Sequence, residues 1–197
     1  MVIGITGNSG AGKTTVANIL AKKINAEIID ADQIVKEEQK IRTPYYNEII
    51  NSIGEEILLK NLELDRKKLA KIIYKKEEER NKINEITKKH ILPKIVKKIK
   101  QTKSQNIILD VPLLFESGLD KVCDKTIAIL AEDKIKIKRI KLREDIERDI
   151  IIQRLKIQPN SEFYKKNSDY IIENNDQNLE EKVEEVWEKI CTNHGKN

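Results

Sequence analysis

A glycine-rich loop near the start of the chain constrains the fold more than any other feature. Residues 7–14 read Gly-Asn-Ser-Gly-Ala-Gly-Lys-Thr and fit G-x-x-x-x-G-K-[ST] at every required position. The apolar residues 2–6 before the loop indicate a short buried strand, and Val16, Leu20 and Ile24 after it recur at helical spacing. A glycine-rich turn between a strand and a helix directs backbone N–H groups and the positive end of the helix dipole toward one small volume. The loop therefore predicts a binding site for a chain of phosphates.

The side chains of this loop have distinct predicted roles. We expect Lys13 to contact the outer phosphates of a nucleotide and the Thr14 hydroxyl to bind Mg²⁺. The predicted ATP-binding residues are Gly10, Ala11, Gly12, Lys13, Thr14 and Thr15. The alternative is a glycine-rich turn with a chance Gly-Lys-Thr sequence. We favour the phosphate loop because strand, loop and helix follow one another in the order that the motif requires.

The length and composition indicate one soluble α/β domain. The 197 residues are enough for such a domain with a small inserted subdomain. No apolar run approaches the ~20 residues that a membrane span needs, so we expect no membrane partner. The apolar start leads into the phosphate loop and not to a signal-peptide cleavage site, so we expect a cytoplasmic location. Cys123 and Cys191 lie far apart without C-x-x-C spacing and only two histidines are present, which argues against a disulfide framework or a zinc site.

The net charge of +5 raises the question of a nucleic-acid partner. Lysines are concentrated between Arg66 and Lys103, but aromatic residues, which favour single-strand binding, are not interleaved with them. We interpret these lysines as solvated helix faces, some of which attract phosphorylated substrates, and we predict no nucleic-acid partner. A nucleic-acid surface is the alternative interpretation.

Further apolar segments predict strands at 26–30, 106–110, 125–131 and 169–172. Between the second and third predicted strands, residues 44–103 carry only helical signals, and Pro93 is expected in the first turn of a helix over 94–100 that follows a run over 77–91. A crossover helix is far shorter than this segment, which we call the helical insert (residues 44–103) and expect to cap the site. We predict a three-layer α/β fold with a five-stranded parallel sheet and a core of residues 1–40, 104–132 and 168–193.

Acidic residues end two of the predicted strands. Asp30 and Asp32 follow the second strand and Asp110 ends the third, and ligands collect at the carboxyl ends of parallel strands. For the first two, a catalytic role and capping of a helix that begins near Gln33 are both open; the pair in this position favours a role in catalysis. The apolar run before Asp110 is typical of a Walker B strand, which predicts that Asp110 binds Mg²⁺. In the apolar loop after it, Phe115 either lines a substrate pocket or packs beneath the helical cap, and Leu113 of the same loop is a predicted substrate-binding residue.

Residues 133–167, which we call the basic segment, contain several arginines, including Arg139, Arg143, Arg148 and Arg154. In a phosphoryl-transfer enzyme, a mobile segment that brings arginines over the triphosphate neutralises charge and excludes water. We therefore predict that the basic segment is a lid. The alternative is a surface helix with solvated charges.

The chain resembles the dephospho-CoA kinase family from residue 2 to about Val186, because several of its motifs match those of the family and follow one another in the same order. The matching features are the phosphate loop, Asp30-Ala31-Asp32, Leu64-Asp65-Arg66 with Leu69, His90, Asp110-Val111-Pro112-Leu113-Leu114-Phe115-Glu116, Arg139 with Arg143, Gln158, and Asp169 with Asn174. The segment from Val111 to Glu116 is the most specific of them. The chain departs from the family's pattern at His90-Ile91, where His-Pro is common, and at Thr14, where Ser is common.

The resemblance implies ATP-dependent transfer of the γ-phosphate to the 3′-hydroxyl of the ribose of dephospho-CoA, which gives CoA and ADP with Mg²⁺ and is the last step of coenzyme A biosynthesis. It implies that Asp32 is the base, that Lys13 and Arg143 act on the phosphates, and that Arg66 and His90 lie toward the acceptor. The alternative is another P-loop small-molecule or nucleoside monophosphate kinase. A GTP switch is disfavoured because residues 81–84, the nearest guanine-reading candidate, lack the required acid.

Overall fold

The computed structural model describes residues 1–144 and 146–194. Within these residues lie five strands: β1 Val2–Thr6, β2 Glu27–Asp30, β3 Ile107–Asp110, β4 Lys125–Leu130 and β5 Tyr170–Glu173. They also contain ten α-helices: α1 Lys13–Ile24, α2 Ala31–Glu38, α3 Pro44–Ile53, α4 Arg66–Lys75, α5 Glu77–Gln101, α6 Leu114–Ser117, α7 Asp133–Arg143, α8 Arg148–Lys156, α9 Ser161–Asn167 and α10 Leu179–His194. No helix in this described part of the chain is long and apolar enough to cross a lipid bilayer.

The strands form one parallel sheet in the order β2-β3-β1-β4-β5. This arrangement confirms the predicted α/β fold with a five-stranded parallel sheet. In the register of the sheet, Asp110 lies opposite both Asp30 of β2 and Ile5 of β1. The carboxyl ends of the strands therefore meet at one edge, and two of the predicted acidic residues are neighbours there.

Helices cover both faces of the sheet. Successive residues of a strand point to opposite faces, and β3 shows this directly. Ile107 and Leu109 pack in a cluster with apolar residues of α2, α3 and α5, whereas Ile108 packs in a second cluster with residues of α1 and α10. The fold is therefore the predicted three-layer one, with helix, sheet and helix.

The helical insert contains α3, α4 and α5, and capping side chains define where two of these helices begin. The Thr43 hydroxyl accepts a hydrogen bond from Tyr46 N at 3.1 Å, with Pro44 in the first turn of α3. The Asp65 carboxylate likewise accepts from Lys68 N at 3.0 Å at the start of α4. Asp65 thus fixes the position of Arg66, the first residue of that helix.

The prediction of separate helices before and after Pro93 was wrong. Residues 77–101 form the single helix α5, and Pro93 lies inside it on the exposed side. A proline inside a helix costs about 3 kcal/mol relative to alanine. On the other side of the helix, Ile86 before the proline and Ile91 and Ile95 beside it are buried, and each contributes about 1.5–3 kcal/mol. Because this packing continues past Pro93, it outweighs the local preference of the proline.

Candidate active site

The phosphate loop joins β1 to α1 and requires glycine at Gly12. This residue has φ of 103°, and a Cβ atom added there would lie 2.2 Å from Asn174 Nδ2. Helix α1 begins at the next residue, and its first hydrogen bond runs from Val16 N to Gly12 O at 3.1 Å. The N–H groups of Lys13, Thr14 and Thr15 precede that bond, so the start of α1 offers donors to an anion.

The loop carbonyls are held by two side chains of other elements. Asn174, which is 4% exposed, donates from Nδ2 to Ala11 O at 2.8 Å. Arg139 of α7 donates to Ala11 O at 3.3 Å and to Asn174 Oδ1 at 3.1 Å. Ala11 N donates within the loop to Asn8 O at 3.1 Å. Arg139 and Asn174 therefore hold the loop through its carbonyl groups. We did not predict this role from the sequence, although Asn174 directly follows a strand.

Lys13 lies over the loop. Its Nζ donates to Gly7 O at 2.9 Å and to Asn8 O at 3.3 Å. Burial lowers the pKa of Lys13, and the negative charges of Asp110 and Asp32 oppose this change. The structure thus brings Lys13 close to the two carboxylates that the sequence placed at the same edge of the sheet.

Thr14 and Asp110 form a pair of oxygen ligands. Thr14 Oγ1 donates to Asp110 Oδ2 at 2.9 Å, and Asp110 is 4% exposed. Burial raises the pKa of Asp110 to about 6, against the lowering effects of Lys13 and of the Thr14 hydrogen bond. Asp110 Oδ1 is buried and accepts no hydrogen bond from any residue that the structure describes. A hydroxyl beside a carboxylate oxygen that lacks a donor is a ligand set that suits Mg²⁺.

Asp30 and Asp32 differ in their surroundings. Asp30 Oδ1 accepts from Gln33 N at 3.1 Å and caps α2, which begins at Ala31 and therefore earlier than predicted. Asp32 lies in the first turn of α2, is exposed, and forms neither a hydrogen bond nor an ion pair with a described residue. The charges of both residues raise the pKa of Asp110, so both lie near it. Asp30 therefore caps α2, whereas the carboxylate of Asp32 has no bonding partner among the described residues.

The residues that follow α8 contact the phosphate loop. Gln158 Oε1 accepts from Ser9 N at 3.0 Å, and Gln158 Nε2 donates to Ser9 Oγ at 3.3 Å. Asn8 Nδ2 donates to Pro159 O at 3.1 Å. These contacts could not be predicted from the sequence, because no spacing in the chain relates residues 158–159 to residues 8–9. They join the basic segment directly to the loop.

A cavity of about 420 Å³ lies between α4 and α8. From α4, Arg66, Lys71 and Tyr74 line it, and Arg154 lines the opposite wall. Arg66 Nη2 also donates a hydrogen bond to the carbonyl oxygen of Lys36 at 3.5 Å. Lys36 lies on α2, the helix that carries Asp32. Positively charged side chains therefore line the cavity. The cavity lies beside α2, the helix that carries Asp32.

Three other predicted residues lie in different settings. Arg143, at the end of α7, is exposed and pairs with Glu144. Leu113 is exposed in the loop before α6. His90 Nε2 lies 2.6 Å from Glu48 Oε2, and its ring centroid is 5.8 Å from that of Tyr45. The contacts of His90 are thus with α3, inside the helical insert, whereas Lys13, Thr14, Asp32 and Asp110 meet at the carboxyl edge of the sheet.

Solved structures share this fold over almost the whole chain. A crystal structure of TT1252 from Thermus thermophilus covers 98% of this chain and 97% of its own, with a TM-score of 0.77 and 22% identity. A dephospho-CoA kinase from Campylobacter jejuni covers 98% of both chains, with a TM-score of 0.66 and 24% identity. At these identities the two structures establish the likeness of the fold alone.

Sequence comparison establishes the family. The chain is 39% identical over 195 residues to a dephospho-CoA kinase from Fusobacterium nucleatum, and the match covers 97% of each chain. The family model described as dephospho-CoA kinase matches residues 1–180. The match includes the phosphate loop, the aspartates at the edge of the sheet and the basic segment. This chain belongs to the dephospho-CoA kinase family.

Proposed function

We propose that this protein transfers the γ-phosphate of ATP to the 3′-hydroxyl of the ribose of dephospho-CoA, forming CoA and ADP in the last step of coenzyme A biosynthesis. The observation that carries the proposal is the 39% identity to a named dephospho-CoA kinase over 97% of both chains. The site supports it, because phosphoryl transfer needs phosphate donors, a metal site and a proton acceptor close together.

The phosphate loop holds the nucleotide in this proposal. The amides at the start of α1 and the Lys13 ammonium donate to the phosphates, with Gly10, Ala11 and Gly12 giving the loop its shape. Thr14 and Asp110 hold Mg²⁺, which supplies positive charge to the phosphate oxygens when it is bound. The support for this metal site is the Thr14–Asp110 hydrogen bond of 2.9 Å and the buried Oδ1 of Asp110.

Asp32 accepts the proton of the attacking hydroxyl. Its carboxylate is exposed and has no hydrogen-bonding partner among the described residues. Its negative charge acts to raise the pKa of Lys13 and of Asp110, so it lies near both. A base must lie within hydrogen-bond reach of the proton that it abstracts. In support of this role, Asp32 lies one helical turn before Lys36, whose carbonyl accepts a hydrogen bond from Arg66 of the cavity wall at 3.5 Å. The cavity between α4 and α8 then receives the anionic acceptor, with Leu113 and His90 as more distant parts of the acceptor site.

The basic segment is the lid of the enzyme in this account. Arg139 and Gln158 of this segment contact the phosphate loop. The segment is therefore connected to the loop that binds the phosphates in this proposal. Arg143, one helical turn after Arg139 on α7, approaches the transferred phosphate when the segment closes and excludes water. Residues 1–40, 104–132 and 168–193 form the core, and residues 44–103 form the helical insert, of one kinase domain.

We further propose a cytoplasmic enzyme that acts on small molecules and has no nucleic-acid partner. Several lysines of the helical insert are paired with glutamates: Lys82 with Glu78, Lys88 with Glu85, Lys89 with Glu48 and Lys94 with Glu38. Such pairs neutralise the surface locally, which weakens its attraction for a polyanion.

A panel of acceptors tests the proposed reaction against its alternative, another P-loop small-molecule or nucleoside monophosphate kinase. ADP release is measured with ATP, Mg²⁺ and one acceptor at a time: dephospho-CoA, shikimate, gluconate or a nucleoside monophosphate. We expect release with dephospho-CoA alone, together with a product that has the mass of CoA. Release with one of the other acceptors and none with dephospho-CoA would reject the proposal.

A further inference from the structure

One carboxylate, Glu144, binds two arginines of the basic segment. Its Oε1 accepts from Arg143 Nε at 3.2 Å and from Arg143 Nη2 at 2.5 Å. Its Oε2 accepts from Arg154 Nη1 at 2.8 Å. Glu144 therefore links the end of α7 to α8 by using each of its oxygens for a different guanidinium group.

This cluster of Arg143, Glu144 and Arg154 is connected to both the cavity and the phosphate loop. Arg139, one turn before Arg143 on the same helix, donates to the loop carbonyls of Gly10 and Ala11 at 3.5 and 3.3 Å. Glu144 and Arg154 line the cavity. The charges of Arg143 and Arg154 also contribute to lowering the pKa of Lys13, which indicates that both act on the phosphate site. Phosphates at the loop or in the cavity would therefore compete with Glu144 for these arginines.

The three side chains of the cluster differ in their exposure to solvent. The Glu144 side chain is 30% exposed and that of Arg154 is 21% exposed, whereas that of Arg143 is 61% exposed. Burial raises the pKa of Glu144, but Arg154 and Arg143 outweigh it and hold this pKa below its ordinary value, so the carboxylate is charged at neutral pH. A phosphate group carries more negative charge than a carboxylate and has more acceptor oxygens, so it binds guanidinium groups more strongly.

We propose that Glu144 is a positioning residue that holds Arg143 and Arg154 together in the nucleotide-free enzyme and releases them to the phosphates of the substrates. The inference rests on the proposed function and adds to it an internal competitor for phosphate. Glu144 keeps the arginines from binding other anions and sets the affinity of the empty site below its maximum. A ligand that replaces Glu144 must overcome this competition, which lowers its apparent affinity.

The test is the affinity of the full-length chain for Mg·ATP and for inorganic triphosphate, measured by calorimetric titration without acceptor at low and at high salt. Glu144→Gln keeps the side-chain shape but removes the charge that competes. We expect Kd for both ligands to fall by about fivefold to tenfold at low salt, with a smaller gain at high salt. In kinetic assays the KM for ATP should fall while kcat does not rise.

Glu147→Gln is the matched control. Glu147 lines the same cavity and forms no ion pair with a described residue, so this change removes an equal charge without freeing an arginine. We expect the control to alter Kd by less than twofold, and we expect Glu144→Gln/Arg143→Gln to lose much of the gain of the single variant. If Glu144→Gln and Glu147→Gln lowered Kd equally, the net charge of the cavity, and not the pairing of Glu144 with the arginines, would determine the affinity for phosphates. That result would overturn the inference.

The remaining outcomes also decide the question. Unchanged or weaker binding by Glu144→Gln would overturn the inference, and weaker binding with a lower melting temperature would assign Glu144 a purely structural role. If the wild type binds ATP normally, neither of these results for Glu144→Gln contradicts the proposed function. Failure of the wild-type protein to bind Mg·ATP would overturn the proposed function and the inference together.

Discussion

In the proposed reaction the chemical step depends on Asp32, and its neighbour Asp30 provides a matched comparison. We predict that Asp32→Asn lowers kcat by a factor of about a hundred or more, because general-base catalysis contributes that much, while Kd for ATP changes little. Asp30→Asn should keep kcat within a few-fold of the wild type, since asparagine also caps helices and Asp30 Oδ1 only accepts from Gln33 N. Steady-state kinetics and titration with ATP measure both effects. A wild-type kcat in Asp32→Asn would show that another group receives the proton.

The buried carboxyl group of Asp110, a proposed metal ligand, has an unfavourable effect on the stability of the free protein at neutral pH. Its pKa in the folded state, about 6, lies above its ordinary value of 3.8. The folded state therefore binds the proton more tightly than the unfolded chain, so this residue's contribution to stability decreases as the pH rises from about 4 to about 6. At pH 7.5 the buried charge destabilises the metal-free protein by an amount on the order of 1–3 kcal/mol.

We predict that Asp110→Asn raises the free energy of unfolding of the metal-free protein at pH 7.5, because it removes this buried charge. Urea unfolding at pH 7.5 and at pH 5 measures the effect, and the advantage of the variant should shrink at pH 5, where the wild-type carboxyl is mostly protonated. Addition of Mg·ATP should reverse the order, since only the wild type has the ligand for the metal. An advantage that is the same at both pH values would contradict the predicted titration of Asp110.

At the residue scale, the sequence predicted those contacts that follow from the order of a parallel sheet. Lys13, Thr14 and Asp110 meet because each follows or ends a strand at the same edge, a rule that needs no knowledge of packing. It did not predict that Glu144 pairs with Arg143 and Arg154. These contacts depend on how α7 and α8 are placed relative to each other, and no periodicity in the chain records that placement.

Helix α5 is the element whose local sequence and packing disagree most. Pro93 is exposed within it, so replacing the proline removes no buried contact and restores one backbone donor. We predict that Pro93→Ala raises the free energy of unfolding by about 1–3 kcal/mol and leaves kcat unchanged, because alanine is that much more favourable inside a helix. Urea unfolding of the purified variant measures the change.

Lys97→Ala provides the control for this prediction, because Lys97 is exposed one turn later on the same helix. We expect its effect on stability to be within about 0.5 kcal/mol, as is usual for surface substitutions. Loss of stability in Pro93→Ala would show that the proline imposes a bend that the packing of the insert requires.

At the scale of elements, the strands were easier to predict than the helices. All five strands begin and end within about one residue of the predicted positions, because buried parallel strands form short apolar runs with clear ends. The division of α5 failed because a local rule for proline was applied where burial of Ile91 and Ile95 decides the structure. A proline signals a probable helix boundary, and the apolar face on both sides of it is the evidence to weigh against that signal.

The whole molecule combines a parallel sheet that carries the site with a charged segment that contacts the phosphate loop. The sheet fixes the phosphate loop and the aspartates, while the basic segment reaches the loop through Arg139 and Gln158. Family membership determines which reaction this arrangement serves, because the same fold also supports other kinases and fold alone does not specify function. We therefore expect the phosphoryl group to pass from ATP on the loop to dephospho-CoA in the cavity between α4 and α8.

The most direct test of this claim is the ratio of CoA to ADP, both quantified by mass spectrometry, in reactions of the purified protein with ATP, Mg²⁺ and dephospho-CoA. The account predicts equal amounts of the two products, and almost none of either with Lys13→Ala, which removes a charge that stabilises the transferred phosphate. ADP without CoA, or CoA formed at the wild-type rate by Lys13→Ala, would contradict it.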